Sequence, residues 1–117
     1  MKFLLMIHGD ETGWDELSED AQRTARERYG AVAGREEVIR ASELGPTASA
    51  TTVRVKDGAT LVTDGPYAET KEAVGGFFLV EADSIDDAVE LARQLPAPRR
   101  RGGIEVRPVY TDEGGAA

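Results

Sequence analysis

An α+β domain with the element order βαββαβ, and one β-hairpin inserted between its second and third core strands, is the fold this sequence predicts. Three observations carry the prediction. Two nearly continuous apolar runs, Lys2–His8 and Gly76–Ala82, read as strands buried on both faces. Each is followed by a segment of helical periodicity opened by a serine, Ser18 in one case and Ser84 in the other. Between them, Asp57-Gly58 separates two short alternating runs, the mark of a tight hairpin. Without the hairpin the order is that of the ferredoxin-like split unit, whose first and third core strands lie in the middle of the sheet. Those are the two strands that are apolar throughout.

The elements follow in order. In the first strand Phe3, Leu5 and Ile7 share one face, and Leu4, Met6 and His8 the other. "GDETGWDEL" reads as a loop. Ser18 caps a helix running to about Gly34, with Glu19 and Asp20 in the first turn, where the helix dipole favours acids. Its inward stripe is Leu17, Ala21, Ala25, Tyr29 and Val32, mostly small residues suited to close packing on a sheet. Val38–Leu44 is a strand ended by Gly45-Pro46. "TTVRVK" and "ATLVT" form the hairpin around Asp57-Gly58. After the second apolar strand, Ser84 caps a helix whose stripe is Ile85, Ala88, Val89, Ala92 and Leu95, stopped by Pro96. "PAPRRRGG" is a loop and "IEVRPV" the last strand. Residues 1–110 then form one domain, and 111–117 a disordered tail.

At 117 residues with 40% apolar and 31% charged composition, the chain is that of a single globular domain. Fourteen basic against twenty-two acidic residues give a net charge of −8, which argues against nucleic acid and against anionic membrane surfaces as partners. The absence of cysteine excludes disulfides, thiolate nucleophiles and cysteine-type zinc sites. The apolar run Phe3–Ile7 is too short for a signal peptide, and no segment approaches the ~20 residues of a membrane span. A cytoplasmic location is the expectation. Two helices cover only one face of a sheet, so the other face, with its leucines and phenylalanines, predicts a homodimer stacked sheet against sheet around a cavity.

Three segments together resemble the YCII-related proteins of the DGPF type: "MKFLLMIHGDE" at the start, "SATTVRVKDGATLVTDGPYAETKE" from Ser49 to Glu72, and "GGFFLVEADSIDDAVELARQLP" from Gly75 to Pro96. The resemblance runs from Met1 to about Val109. It implies a dimeric α+β barrel built on the ferredoxin-like unit, in cytoplasmic bacterial proteins often encoded beside extracytoplasmic-function sigma factors. The wider group includes a chloromuconolactone dehalogenase and is similar in fold to muconolactone isomerases. In it a histidine on the first helix and an aspartate are proposed as an acid–base pair; the position that matches the histidine carries Tyr29 here.

The candidate chemistry is small in extent. His8, the only histidine, ends a central strand two residues before Asp10, and the pair reads either as a base with its orienting carboxylate or as a hydrogen-bonded strand end. Asp64, Gly65 and Pro66 are explained by turn chemistry. Tyr67, Glu69 and Lys71 are not, and they read either as contacts to a small polar ligand or as a dimer element. Gly75-Gly76 marks a bend or bulge, Arg99–Arg101 a solvated loop, and Trp14 a residue over a helix end or a cavity mouth. No metal-ligand spacing and no nucleotide-binding or nucleophile motif occurs, so neither metal nor organic cofactor is expected. Two functions remain, beside a third reading in which assembly is the protein's only task. The first is a small-molecule enzyme of isomerase or lyase type using His8, Asp10, Tyr29 and Asp64 for proton transfer, with Tyr67, Glu69 and Lys71 on the ligand. The second is a non-catalytic binding or regulatory module linked to a sigma factor.

Overall fold

The computed structural model describes residues 1–68, 72–96 and 102–111. A four-stranded antiparallel sheet is built from β1 (Lys2–Asp10), β2 (Val38–Glu43), β5 (Glu72–Glu81) and β6 (Gly102–Pro108), in the order β2-β5-β1-β6. This is the ferredoxin-like arrangement, with the two apolar strands β1 and β5 in the centre. The hairpin, β3 (Thr51–Lys56) and β4 (Ala59–Asp64), forms a separate two-stranded sheet. Asp57 and Gly58 at its tip both have positive φ, 52° and 77°. A two-residue turn of that kind matches the right-handed twist of the strands it joins.

Alternation along β1 separates the faces. Phe3 and Leu5 lie opposite Val80 and Phe78 of β5, and all four are buried. Ile104 and Val106 of β6 extend this face beside Ile7 and Leu5. Helices cover it: α2 (Glu19–Ala33) with Val32, and α3 (Ile85–Ala92) with Ala88, Leu91 and Ala92; Leu95 just beyond completes the core. Each fully buried side chain of this size contributes about 1.5–3 kcal/mol of hydrophobic stabilisation. On the opposite face Leu4, Met6, Phe77 and Leu79 stand in register and are only partly buried.

Both serine caps form: Ser18 accepts from the Ala21 N–H at 3.1 Å, and Ser84 from the Asp87 N–H at 3.2 Å. Three expectations are corrected. The segment read as a loop contains a short helix, α1 (Glu11–Asp15), because the Asp10 carboxylate accepts from the Thr12 N–H at 2.9 Å and caps it. α3 is turned so that Leu91 is buried and Ile85 is 48% exposed. Of the α2 stripe only Val32 is buried; Tyr29 packs against the core half-covered, and Ala21 and Ala25 are half-covered over a cleft. Arg99–Arg101 and the tail from Asp112 lie outside the described residues.

Candidate functional site

The space beneath α2 is a cleft of about 930 Å³. Alanine side chains create it. Ala21, Ala25 and Ala33 on the helix and Ala41 on β2 reach too little distance to close the gap that Leu or Ile would fill. The floor is Ile7 and Phe78, and the inner wall is Tyr29, whose ring lies 6.4 Å from that of Phe78, tilted by 30°. Around the mouth stand α1 with Asp10, Glu11 and Trp14, the end of β2 from Ser42 to Pro46, and the start of β5 from Ala73 to Gly76.

Several contacts hold this rim. The Glu11 carboxylate accepts from the Thr47 N–H at 3.0 Å, tying α1 to the short 3-10 turn Thr47–Ser49. The Gln22 side chain donates to the Trp14 carbonyl at 3.0 Å, and the Arg26 guanidinium lies 5.2 Å over the Trp14 ring, so α1 is also tied to α2. At Gly76 a Cβ would come 2.9 Å from the Ser42 carbonyl oxygen, which means that close approach of β2 and β5 demands this glycine. Gly75 sits at the irregularity where the β1–β5 register shifts, and its carbonyl accepts from the Leu44 N–H at 2.9 Å. The pair therefore marks a bulge inside β5.

Tyr29 is a half-buried titratable group of the cleft. Its hydroxyl donates to the Pro96 carbonyl at 3.1 Å. Burial pushes its pKa above 10.0, and the positive charge of Arg28 opposes this only in part. The hydroxyl is therefore held in its protonated, donating form. Together the walls offer an apolar, aromatic interior with polar groups of both signs at the mouth, the composition of a small-molecule site.

The candidate residues are distributed over three places. Tyr29 and Asp10 line the cleft. His8 lines a separate shallow depression of about 370 Å³ with Glu72 and Gly102–Glu105, and its Nε2 lies 2.9 Å from the Glu105 carboxylate. Glu105 is the neighbour of Met6 across β1–β6, which places this pair on the uncovered face of the sheet. His8 and Asp10 thus share strand parity but not a site, because the Asp10 carboxylate turns to cap α1. Asp64 is exposed at the base of the hairpin. There Gly65, at φ 105°, donates from its N–H to the Ala50 carbonyl at 2.8 Å and accepts from the Thr52 hydroxyl at 2.7 Å. Tyr67 is 73% exposed, its ring 4.9 Å from the Arg54 guanidinium, which also donates to the Tyr67 carbonyl at 3.1 Å. Glu69 and Lys71 lie outside the described residues. Glu11 and Arg26 had no signal in the sequence, since their place in the rim depends on a helix that the local pattern does not announce. Trp14 stands at the cavity mouth, one of the two places its sequence position suggested. Among the described residues no three His, Asp or Glu side chains are grouped to hold a metal ion, and no helix is long and apolar enough to cross a membrane.

Comparison with known proteins agrees with this architecture. The model of the YCII-related domain matches residues 1–111. An uncharacterised protein of Rhizobium meliloti (strain 1021) is 34% identical over 116 residues, spanning 93% of this chain and 92% of its own length. The order of strands, the hairpin between the second and third core strands and the match over nearly the whole length lead to one assignment: the chain belongs to the YCII-related domain family.

Proposed function

We propose that this protein, as a DGPF-type member of its family, is a cytoplasmic homodimeric domain that binds a small amphipathic molecule in the cleft beneath α2. The observation that carries the reading is the cleft itself: an apolar, aromatic interior kept open by four alanines, with a donor hydroxyl on its wall and charged groups at its mouth. Leu4, Met6, Phe77 and Leu79, an apolar row on the face that no described helix covers, support the dimer. If the sigma-factor association implied by the sequence resemblance holds, ligand occupancy is what the domain reports to that partner, and a pull-down with and without ligand reads it.

Thermal shift against small aromatic and aliphatic acids, amines and lactones tests the reading. A ligand at 100 times its dissociation constant adds about 2.7 kcal/mol to stability. The variant Ala25→Phe, which fills the cleft, should lose that shift. Equal shifts in both proteins, or none in either, would sink the proposal.

Asp10 and Tyr29 in one cleft favour a second reading, a proton-transfer enzyme of isomerase or lyase type. In it Tyr29, held neutral, donates to a developing oxyanion while a free Asp10 oxygen accepts a proton. Turnover of a bound ligand, lost in both Tyr29→Phe and Asp10→Asn, would select this reading; binding without conversion would discard it.

Tyr29 also makes a prediction independent of any ligand. Its folded pKa is raised, so the neutral form is favoured by folding. The stability it provides is complete below pH 10.0, the unfolded value, and is lost as pH rises through the folded value. Melting temperatures between pH 9 and 11.5 should fall more steeply for the native protein than for Tyr29→Phe. At neutral pH that variant should be about 1 kcal/mol less stable through loss of the hydrogen bond to Pro96.

A further inference from the structure

Among the described residues, the β3–β4 hairpin is held at its base, by Gly65 N–H to the Ala50 carbonyl and by the Thr52 hydroxyl to the Gly65 carbonyl. Thr52 is its one buried residue, bonded to Gly65, and from Val53 to Asp64 every residue is exposed. Its two faces differ. On one, the Arg54 guanidinium carries the Tyr67 ring and donates to the Tyr67 carbonyl, so the chain leaving the hairpin folds back over that side. On the other, Val53 and Val62 are directly paired across the strands, with Val55 diagonal to Val62, and they are 62%, 66% and 77% exposed.

A two-stranded ribbon alone in water is marginal at best, and a cluster of three exposed valines on its naked face is the kind of patch that marks an interaction surface. We infer that the hairpin is an arm that docks, by its Val53–Val55–Val62 face, on a second copy of this chain.

Two observations name a second copy as the occupant. The first is area. The chain exposes 8336 Å², whereas a compact monomer of 12.6 kDa exposes about 6,200 Å². The excess surpasses the ~800 Å² that one partner buries in a standard interface. The second is charge. The arm from Thr51 to Asp64 carries Arg54 and Lys56 against Asp57 and Asp64, and is therefore neutral on a chain of −8. A neutral, β-branched arm approaches an acidic copy of the same molecule without the repulsion that its other surfaces would meet.

The inference rests on the homodimer proposed above and adds to it a contact beyond the sheet face. Light scattering on the full chain should give about twice 12.6 kDa at micromolar concentration. The double variant Val53→Thr, Val62→Thr, which keeps β-branched residues in the ribbon while making its face polar, should dimerise at least about tenfold more weakly, with an unchanged far-UV spectrum. A variant that dimerises as the native chain does would overturn the arm while leaving the sheet-face dimer standing. A native chain that stays at 12.6 kDa at high micromolar concentration would overturn both and assign the arm to a different protein. Because the chain has no cysteine, a nitroxide on Val55→Cys gives a second measurement. Its spectrum should be immobilised in the dimer and mobile after dilution; a label equally mobile in both states contradicts the docking.

Discussion

Replacing Leu5 by alanine is expected to lower the free energy of unfolding by roughly 3–5 kcal/mol. The side chain is 0% exposed, at the centre of β1, with Phe78 and Val106 opposite it on the two flanking strands and α3 above the sheet. These neighbours belong to three separately held elements, so the void cannot collapse, and the cavity cost adds to the lost transfer energy. A domain of this size has about 5–15 kcal/mol in total. The substitution therefore removes a large share of it, and urea denaturation should show the midpoint falling at unchanged slope. Leu4, one residue earlier, points to the uncovered face. Leu4→Ala, measured at a concentration where the chain is monomeric, should cost about 1 kcal/mol or less. Equal losses at the two positions would contradict the separation of faces on which the dimer proposal rests.

The second large effect is expected at Gly102, the first residue of β6. Its φ is 125°, and a Cβ there would overlap the His8 carbonyl oxygen, with the His8 carbonyl carbon at 2.7 Å and the Gly9 Cα at 2.8 Å. Every obstructing atom is backbone of the central strand, so nothing can swing aside. Gly102→Ala should cost about 3 kcal/mol or more, through left-region strain together with disruption of the β1–β6 ladder. It should also separate His8 from Glu105, because β6 carries the carboxylate. Gly103→Ala is the control: no atom lies within 4 Å of a Cβ at that position, and its stability should change by less than about 1 kcal/mol. Chemical denaturation of the two variants side by side decides the matter.

Much of this architecture is legible along the chain, and the particular residues show why. Ser18 and Ser84 start their helices because capping is settled within three residues of the cap. Asp57-Gly58 turns the hairpin because the φ values needed there are the ones those two residues tolerate. The apolar runs of β1 and β5 foretell central strands because only there are both faces removed from water. The site is less legible. Tyr29 is marked by its place on α2 and lines the cleft, but Glu11 and Arg26 join it only because α1 is folded against the sheet end. His8 and Asp10, paired by alternation, go to different places once the Asp10 carboxylate is drawn into a helix cap. Asp64 and Tyr67 remain with the hairpin and are not among the residues that line the cleft.

The boundary between the two kinds of information is physical. Periodicity, caps and turns are interactions among residues a few positions apart. They specify each element, the side it buries and, through the rules of chain connection, the order in which the strands assemble. Whether a helix touches the sheet beneath it or stands off by the width of a ligand depends instead on the summed volumes of side chains from several elements. Here the alanines of α2 and β2 over Phe78 decide it. Whether His8 meets Asp10 or Glu105 depends on register across β1 and β6. Such quantities exist only after the elements have been brought together, and that is why the cleft, the His8–Glu105 contact and the exposed hairpin belong to the tertiary structure alone.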